Sequence, residues 1–218
     1  PLDHEIKNAS FSQGLIEMRE GIKFLRQNLD TARGIAAVAV HRGGITALTL
    51  IALLLERNTF HDPADNEAGL AGLSFVLTVA AGGFVVGAVI APYGVRKVGR
   101  HRGMRFAMAA STLGPLFIVF TRTPLTLTCA GFVTALFGQS LKVTNDDLVQ
   151  SKIDDYYRGR VFAVYDVVVN SAIVSGGLIA ALLLPTTGVT AKVPLFVMAA
   201  YLLVAAVVLR PSKFRATY

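Results

Sequence analysis

Long apolar runs alternate with short polar breaks along the whole chain. Six runs stand out, at about 34–55, 69–91, 104–121, 125–149, 161–184 and 193–209. Each is roughly 17–25 residues long. At ~1.5 Å per residue such a helix matches a hydrocarbon core of ~30 Å. The breaks between them, NTFHDPADNEAG, APYGVRKVGRHRG, TRTP, SKIDDYYRGR and PTTGVTAK, are rich in turn formers and charge. Hydrocarbon offers no water to unpaired N–H and C=O groups, so each run is expected to close its own backbone bonds as a helix. The pattern predicts an all-α polytopic membrane protein. A six-helix transmembrane bundle occupies 33–210, a cytoplasmic segment 1–32 precedes it, and a cytoplasmic tail 211–218 follows.

Ahead of the first run, Phe11, Leu15, Met18, Ile22 and Leu25 recur at three- and four-residue spacing, with Glu17, Arg19, Lys23 and Arg26 between them. That periodicity predicts an amphipathic helix. Two roles are open to it: lying along the inner membrane surface, or linking one part of the protein to another.

Composition supports the membrane reading. Apolar residues make up 53% of the chain, charged residues only 16%, and the mean hydropathy is +0.56. A soluble domain carries about 25% charged residues. The single cysteine, Cys129, lies inside an apolar run and excludes an intrachain disulfide. The net charge of +7 could suggest nucleic acid, but its placement points elsewhere. With the N-terminal side cytoplasmic, 16 of the 21 Lys and Arg fall in inner segments. Three fall outside (Arg57, Arg122 and Lys192), and two, Arg42 and Lys142, fall within helices. That asymmetry predicts both ends in the cytoplasm by the positive-inside rule. It assigns the basic charge to topology and anionic headgroups, with no nucleic acid partner.

Polar residues are distributed unevenly among the runs. The first carries His41 and Arg42, beside the Gly43-Gly44 pair. The fourth carries Gln139, Lys142, Asn145, Asp146 and Asp147, and the fifth carries Asp166, Asn170 and Ser171. The second is rich in Gly, and the third and sixth have no interior charge. A lone charge in a bilayer is costly, so these residues are expected to face protein or a watered cavity. The order of charged, mixed and plain runs repeats every three helices, as an inverted 3+3 repeat would.

At this point the chain resembles the C-terminal six-helix half of a bacterial major facilitator superfamily (MFS) transporter, in its efflux-type branch. Three stretches carry the resemblance: the basic loop PYGVRKVGRHRG, the acidic and Arg-Gly-Arg turn of DDYYRGRVFAVYD, and GLIEMREGIKFLRQN, similar to the end of the family's central loop. Where the loop motif would carry an Asp, this chain has Arg96, followed by Lys97, Gly99, Arg100 and His101. The resemblance implies one half of an MFS fold in a bacterial cytoplasmic (inner) membrane. It implies an N-terminal six-helix half as partner, from the same polypeptide or another, and a small-molecule substrate moved by alternating access. In that family the first and fourth helices of each half line the cavity, and these are the helices singled out by the polar census.

Candidate roles follow. Arg42 offers a rigid fork of donors to a carboxylate or phosphate, and His41 could exchange a proton near neutral pH. With Gln139 and Asn170 they are candidates for the cavity wall. A structural bond to Asp146 or Asp166 is the alternative for His41 and Arg42. Lys142 and Asp146 stand at i,i+4 and can pair along one helix face. With Asp147 and Asp166 they are candidates for proton coupling or gating. Arg96, Lys97, Arg100, Arg158 and Arg160 are candidates for an inner-loop gate. Arg158 and Arg160 are expected just ahead of the fifth helix, with Asp154, Asp155 or lipid phosphate as counter-charge.

Other chemistry finds no support. There is no Walker loop, and GGFVVG lacks the strand context of a nucleotide fingerprint. No residue set has metal-site spacing, no nucleophile is set beside a base, and no cofactor is expected. The reading is therefore a proton-coupled exporter of an amphipathic, drug-like or lipid-like solute, and not an enzyme. The rival is a non-transporting MFS-like subunit that scaffolds or regulates an envelope complex.

Overall fold

The structure, a computed structural model, describes residues 11–209. The expected tail 211–218 and the basic residues Lys7, Arg210, Lys213 and Arg215 lie outside the described residues, as do the side chains of Phe11 and Leu15. Eight α-helices follow in order: α1 Phe11–Gln27, α2 Leu29–Leu55, α3 Asn66–Val98, α4 Arg100–Ala110, α5 Leu113–Phe120, α6 Pro124–Lys152, α7 Asp155–Leu183 and α8 Lys192–Leu203. The helices α2 and α8 each run on into a π-helical turn, Glu56–Phe60 and Val204–Val208.

Among the described residues, five helices are long and apolar enough to cross a membrane: Leu29–Phe60, Asn66–Val98, the α4–α5 pair over Arg100–Phe120, Pro124–Lys152 and Asp155–Leu183. The sixth expected run forms an apolar helix, Lys192–Val208, shorter than these five.

Helix limits differ from those expected, for local reasons. The third run is split at Ser111–Thr112, because Pro115 has no N–H for the Ser111 carbonyl. The hydroxyls of Ser111 and Thr112 bond back to Ala107 and Ala109. The second run does not stop at 91. It passes through Pro92 to Val98, so Arg96 and Lys97 stand on its last turn rather than in a loop. The break is one residue, Gly99, whose φ of 81° suits glycine. The fifth helix starts at Asp155, so Arg158 and Arg160 sit inside its first turns and not ahead of it. Two helix starts carry side-chain caps: the Asp65 carboxylate accepts from the Ala68 N–H, and Thr123 and Thr126 form a capping box with Pro124 at the first helical position.

Packing follows small residues. The main contacts pair α3 with α6 and α2 with α7, while α2 also meets α6 at the centre. A Cβ on Gly83 or Gly87 of α3 would strike the Phe132 or Leu136 carbonyl of α6. A Cβ on Gly43 of α2 would lie 2.7 Å from the Ala172 carbonyl of α7. Such approach replaces the hydrophobic drive that lipid does not supply. The Ser140 hydroxyl adds a bond to the Gly87 carbonyl at 3.0 Å.

The predicted amphipathic helix exists as α1, and it packs on the start of α7. Leu25 and Gly21 are buried there, Phe24 stacks on Tyr157 with centroids 5.2 Å apart, and Glu20 pairs with Arg160 at 2.9 Å. Ile22, expected on the apolar face, is exposed.

Candidate functional site

Arg42 and the polar residues of α6 meet where α2, α3, α6 and α7 converge. Arg42 is half-buried, and its guanidinium donates to Gln139 Oε1 at 3.2 Å. It also lies over the Phe84 ring of α3, 5.2 Å from the centroid. One turn along α6 from Gln139, Lys142 pairs with Asp146 at 2.5 Å. Tyr165 of α7 donates its hydroxyl to the second Asp146 oxygen at 3.0 Å. Asp146 and Tyr165 are close enough to act on Arg42 electrostatically. The result is one polar cluster inside the spans, with Asp146 at the junction of three helices.

The helical period explains who joins it. Gln139, Lys142 and Asp146 follow at steps of three and four, so they share one face of α6. Asp147 is turned ~100° away, and it bonds Arg100 of α4 at 2.6 Å instead. Asp147 therefore belongs with Arg100 rather than with Lys142 and Asp146. Arg100 holds the α3–α4 corner to the C-terminal end of α6 by this ion pair, while the exposed Arg96 stacks on Tyr93 at 4.8 Å and Lys97 is exposed.

His41 goes elsewhere. It is 1% exposed, stacked on Tyr201 of α8 with centroids 5.0 Å apart, and its ring occupies the space a Cβ on Gly138 would need. The Tyr201 hydroxyl donates to the His41 carbonyl at 3.0 Å. Neither His41 nor Arg42 forms an ion pair with Asp146 or Asp166; the Asp146 pair is with Lys142. Asp166 and Asn170 are exposed on α7 and without bonded partners among the described residues. Arg158 pairs with Asp155 at 2.6 Å, as expected, whereas Arg160 reaches Glu20 of α1 and stacks on Tyr156 at 4.5 Å.

Sequence reasoning missed three contributors. Phe84 and Tyr165 complete the cluster, and Tyr165 stood beside Asp166 in a polar stretch of an apolar run. Glu56, just past the end of the first apolar run, is 2% exposed. It packs over Gly72 of α3, with the His61 Nδ1 3.4 Å from its carboxylate. The nearby glycines Gly69 and Gly72 were the available signal. The same π-helical turn clips the α7–α8 loop, since Asn58 and Thr59 donate to the Thr186 and Thr187 carbonyls.

No group of three or more His, Cys, Asp or Glu side chains among the described residues is placed to hold a metal. No family model matches the chain, and no solved structure matches it. The chain is 31% identical over 183 residues to an uncharacterised MFS-type transporter of Mycobacterium tuberculosis, and equally to one of Mycobacterium bovis. The match covers 84% of this chain and 40% of each relative, so the chain spans well under half the length of the curated relatives it matches. With five apolar helices of membrane-crossing length and this likeness along most of its length, the chain is a membrane-embedded protein whose similarity supports membership of the major facilitator superfamily of transporters.

Proposed function

We propose that the chain is the C-terminal half of a secondary active transporter. A second six-helix half, from the same polypeptide or a partner, faces it, and the two rock about the cluster of Arg42, Gln139, Lys142, Asp146 and Tyr165. The exported solute is amphipathic, drug-like or lipid-like, and the proton gradient drives it. Asp146 and Asp166 are the proton-exchanging carboxyls, and the Arg100–Asp147 pair is part of the inner gate. The protein sits in a bacterial inner membrane with both ends of this segment cytoplasmic. No step calls for an enzyme's nucleophile or a cofactor.

One observation carries the reading. Asp166 and Asn170 stand exposed on α7, a membrane-length helix in which only Val161, Val164, Tyr165 and Ala180 are buried, against thirteen residues of α2. Lipid does not cover a carboxylate at low cost, so protein or a watered path must. Two further features support the 3+3 repeat. The α3–α6 and α2–α7 contacts exchange if α2, α3 and α4–α5 are matched with α6, α7 and α8. Small residues mark both crossings. The short sixth helix, Lys192–Val208, would take the matching place to α4–α5.

The test is gradient-driven transport by the full-length protein in vesicles over an amphiphile panel, with Asp166→Asn and Arg42→Ala alongside. Gradient-dependent movement that either substitution abolishes is expected. No transport of any solute, with both variants still assembled with their partners, would favour the scaffold instead.

A further inference from the structure

We infer that the solute recognised by this half is an organic anion: a carboxylate or phosphate joined to a compact apolar body. The inference rests on the transporter reading above and names the class of solute. Its first support is a guanidinium that forms no ion pair among the described residues. Arg42 sits inside a span, half-buried, and the partners it touches are neutral: the Gln139 carbonyl oxygen and the Phe84 ring. Asp146 is the carboxylate beside it, but Asp146 already holds Lys142 and the Tyr165 hydroxyl. Asp166 follows Tyr165 by one residue, turned ~100° around α7, and forms no ion pair with Arg42. The cluster of Arg42, Lys142 and Asp146 thus carries one positive charge in excess. A guanidinium is held in a span only where something compensates it, and its planar fork matches a carboxylate or phosphate edge.

The second support is a cavity that Phe84 also lines. It has a volume of about 140 Å³ and lies between α2, α3, α5 and α6. Ile45 and Thr49, one and two turns along α2 from Arg42, line it with Val76, Ala80 and Leu127. Phe84 is common to both features, since Arg42 lies over its ring and the ring forms part of the cavity wall. A largely apolar pocket of this size has room for a benzene-sized group. A ligand with its anionic head on Arg42 and an apolar group of about six carbons in the cavity would satisfy both. A bare anion would leave the cavity empty, and a cation would be repelled.

The experiment measures binding to the purified full-length protein in uncharged detergent, with no gradient. The probes are 4-phenylbutyrate and 4-phenylbutyl phosphate. Matched neutral and cationic bodies, 4-phenylbutanol and 4-phenylbutylamine, accompany them, with acetate and inorganic phosphate as bare anions. The two aromatic anions are expected to bind about 10- to 100-fold more tightly than the amine and the alcohol, the range of a charge-assisted bond. The stronger of the two identifies the head group. Bare anions should bind more weakly than either. Arg42→Ala should abolish the preference for anions, and Arg42→Lys, which retains the charge, should keep it. Ala80→Leu, which fills the cavity, should weaken the aromatic anions and leave the bare anions unchanged. Equal binding of amine and anion, or anion preference surviving in Arg42→Ala, would overturn the inference. Because no gradient is used, anion-selective binding without transport would sink the transporter reading alone. Gradient-driven transport of the amine without anion binding would sink this inference alone.

Discussion

The crossing of α2 and α7 offers the sharpest test of how the bundle is held together. Gly43 meets α7 backbone to backbone. A Cβ there would be 2.7 Å from the Ala172 carbonyl oxygen, and a Cβ on Gly176 would lie 2.7 Å from the Gly43 Cα. Optimal separation of non-bonded carbon is about 3.5–4.0 Å. In Gly43→Ala, then, α7 must withdraw by about 0.5–1 Å, which forfeits a quarter to a half of each contact it made. With about 0.1–0.2 kcal/mol per atom pair, and on the order of 30 pairs at the crossing, the loss is about 1–3 kcal/mol. Alanine regains about 0.5–1 kcal/mol as the better helix former. The expected net is a destabilisation of about 1 kcal/mol, rising to about 3 kcal/mol for Gly43→Leu, where the clash is larger. Gly82→Ala is the control, since nothing lies within 4 Å of its added Cβ and only the propensity gain of about 0.5–1 kcal/mol remains. The assay is thermal unfolding of the full-length protein in detergent, comparing midpoints. If Gly43→Ala stabilises as much as Gly82→Ala, the close approach of α2 and α7 is wrong.

Two further predictions concern single bonds between helices. Tyr201→Phe removes the hydroxyl donated to the His41 carbonyl but keeps the ring stack. Thermal unfolding should show a loss of about 0.5–1.5 kcal/mol, and a loss above ~3 kcal/mol would mean that the ring itself had moved. At the C-terminal end of α6, Arg100→Gln and Asp147→Asn, made singly and together, should give a coupling of about 0.2–1 kcal/mol that fades in high salt, because both side chains are partly exposed. A coupling that persists at 1 M salt would place the pair out of reach of solvent.

The sequence by itself determined the material of the fold. Apolar runs of membrane length made helices, since a chain in lipid has no other way to satisfy its backbone. The i,i+4 spacing of Lys142 and Asp146 was enough to pair them, because the period of one helix sets which side chains share a face. Amphipathic spacing gave α1. Helix limits were less legible: Pro92 sits inside α3, while the break falls at Ser111–Thr112, where Pro115 removes a donor. What only the tertiary structure decided is which face meets which neighbour. Adjacent residues point ~100° apart, so His41 and Arg42 part ways, one into the Tyr201 and Gly138 packing, the other onto Gln139 and Phe84. Asp146 and Asp147 likewise divide between Lys142 with Tyr165 and Arg100. Glu56 is buried because Gly72 of another helix leaves room for it. A period along one helix states how its faces are spaced, and the close approach of small residues between helices selects the partner each face receives.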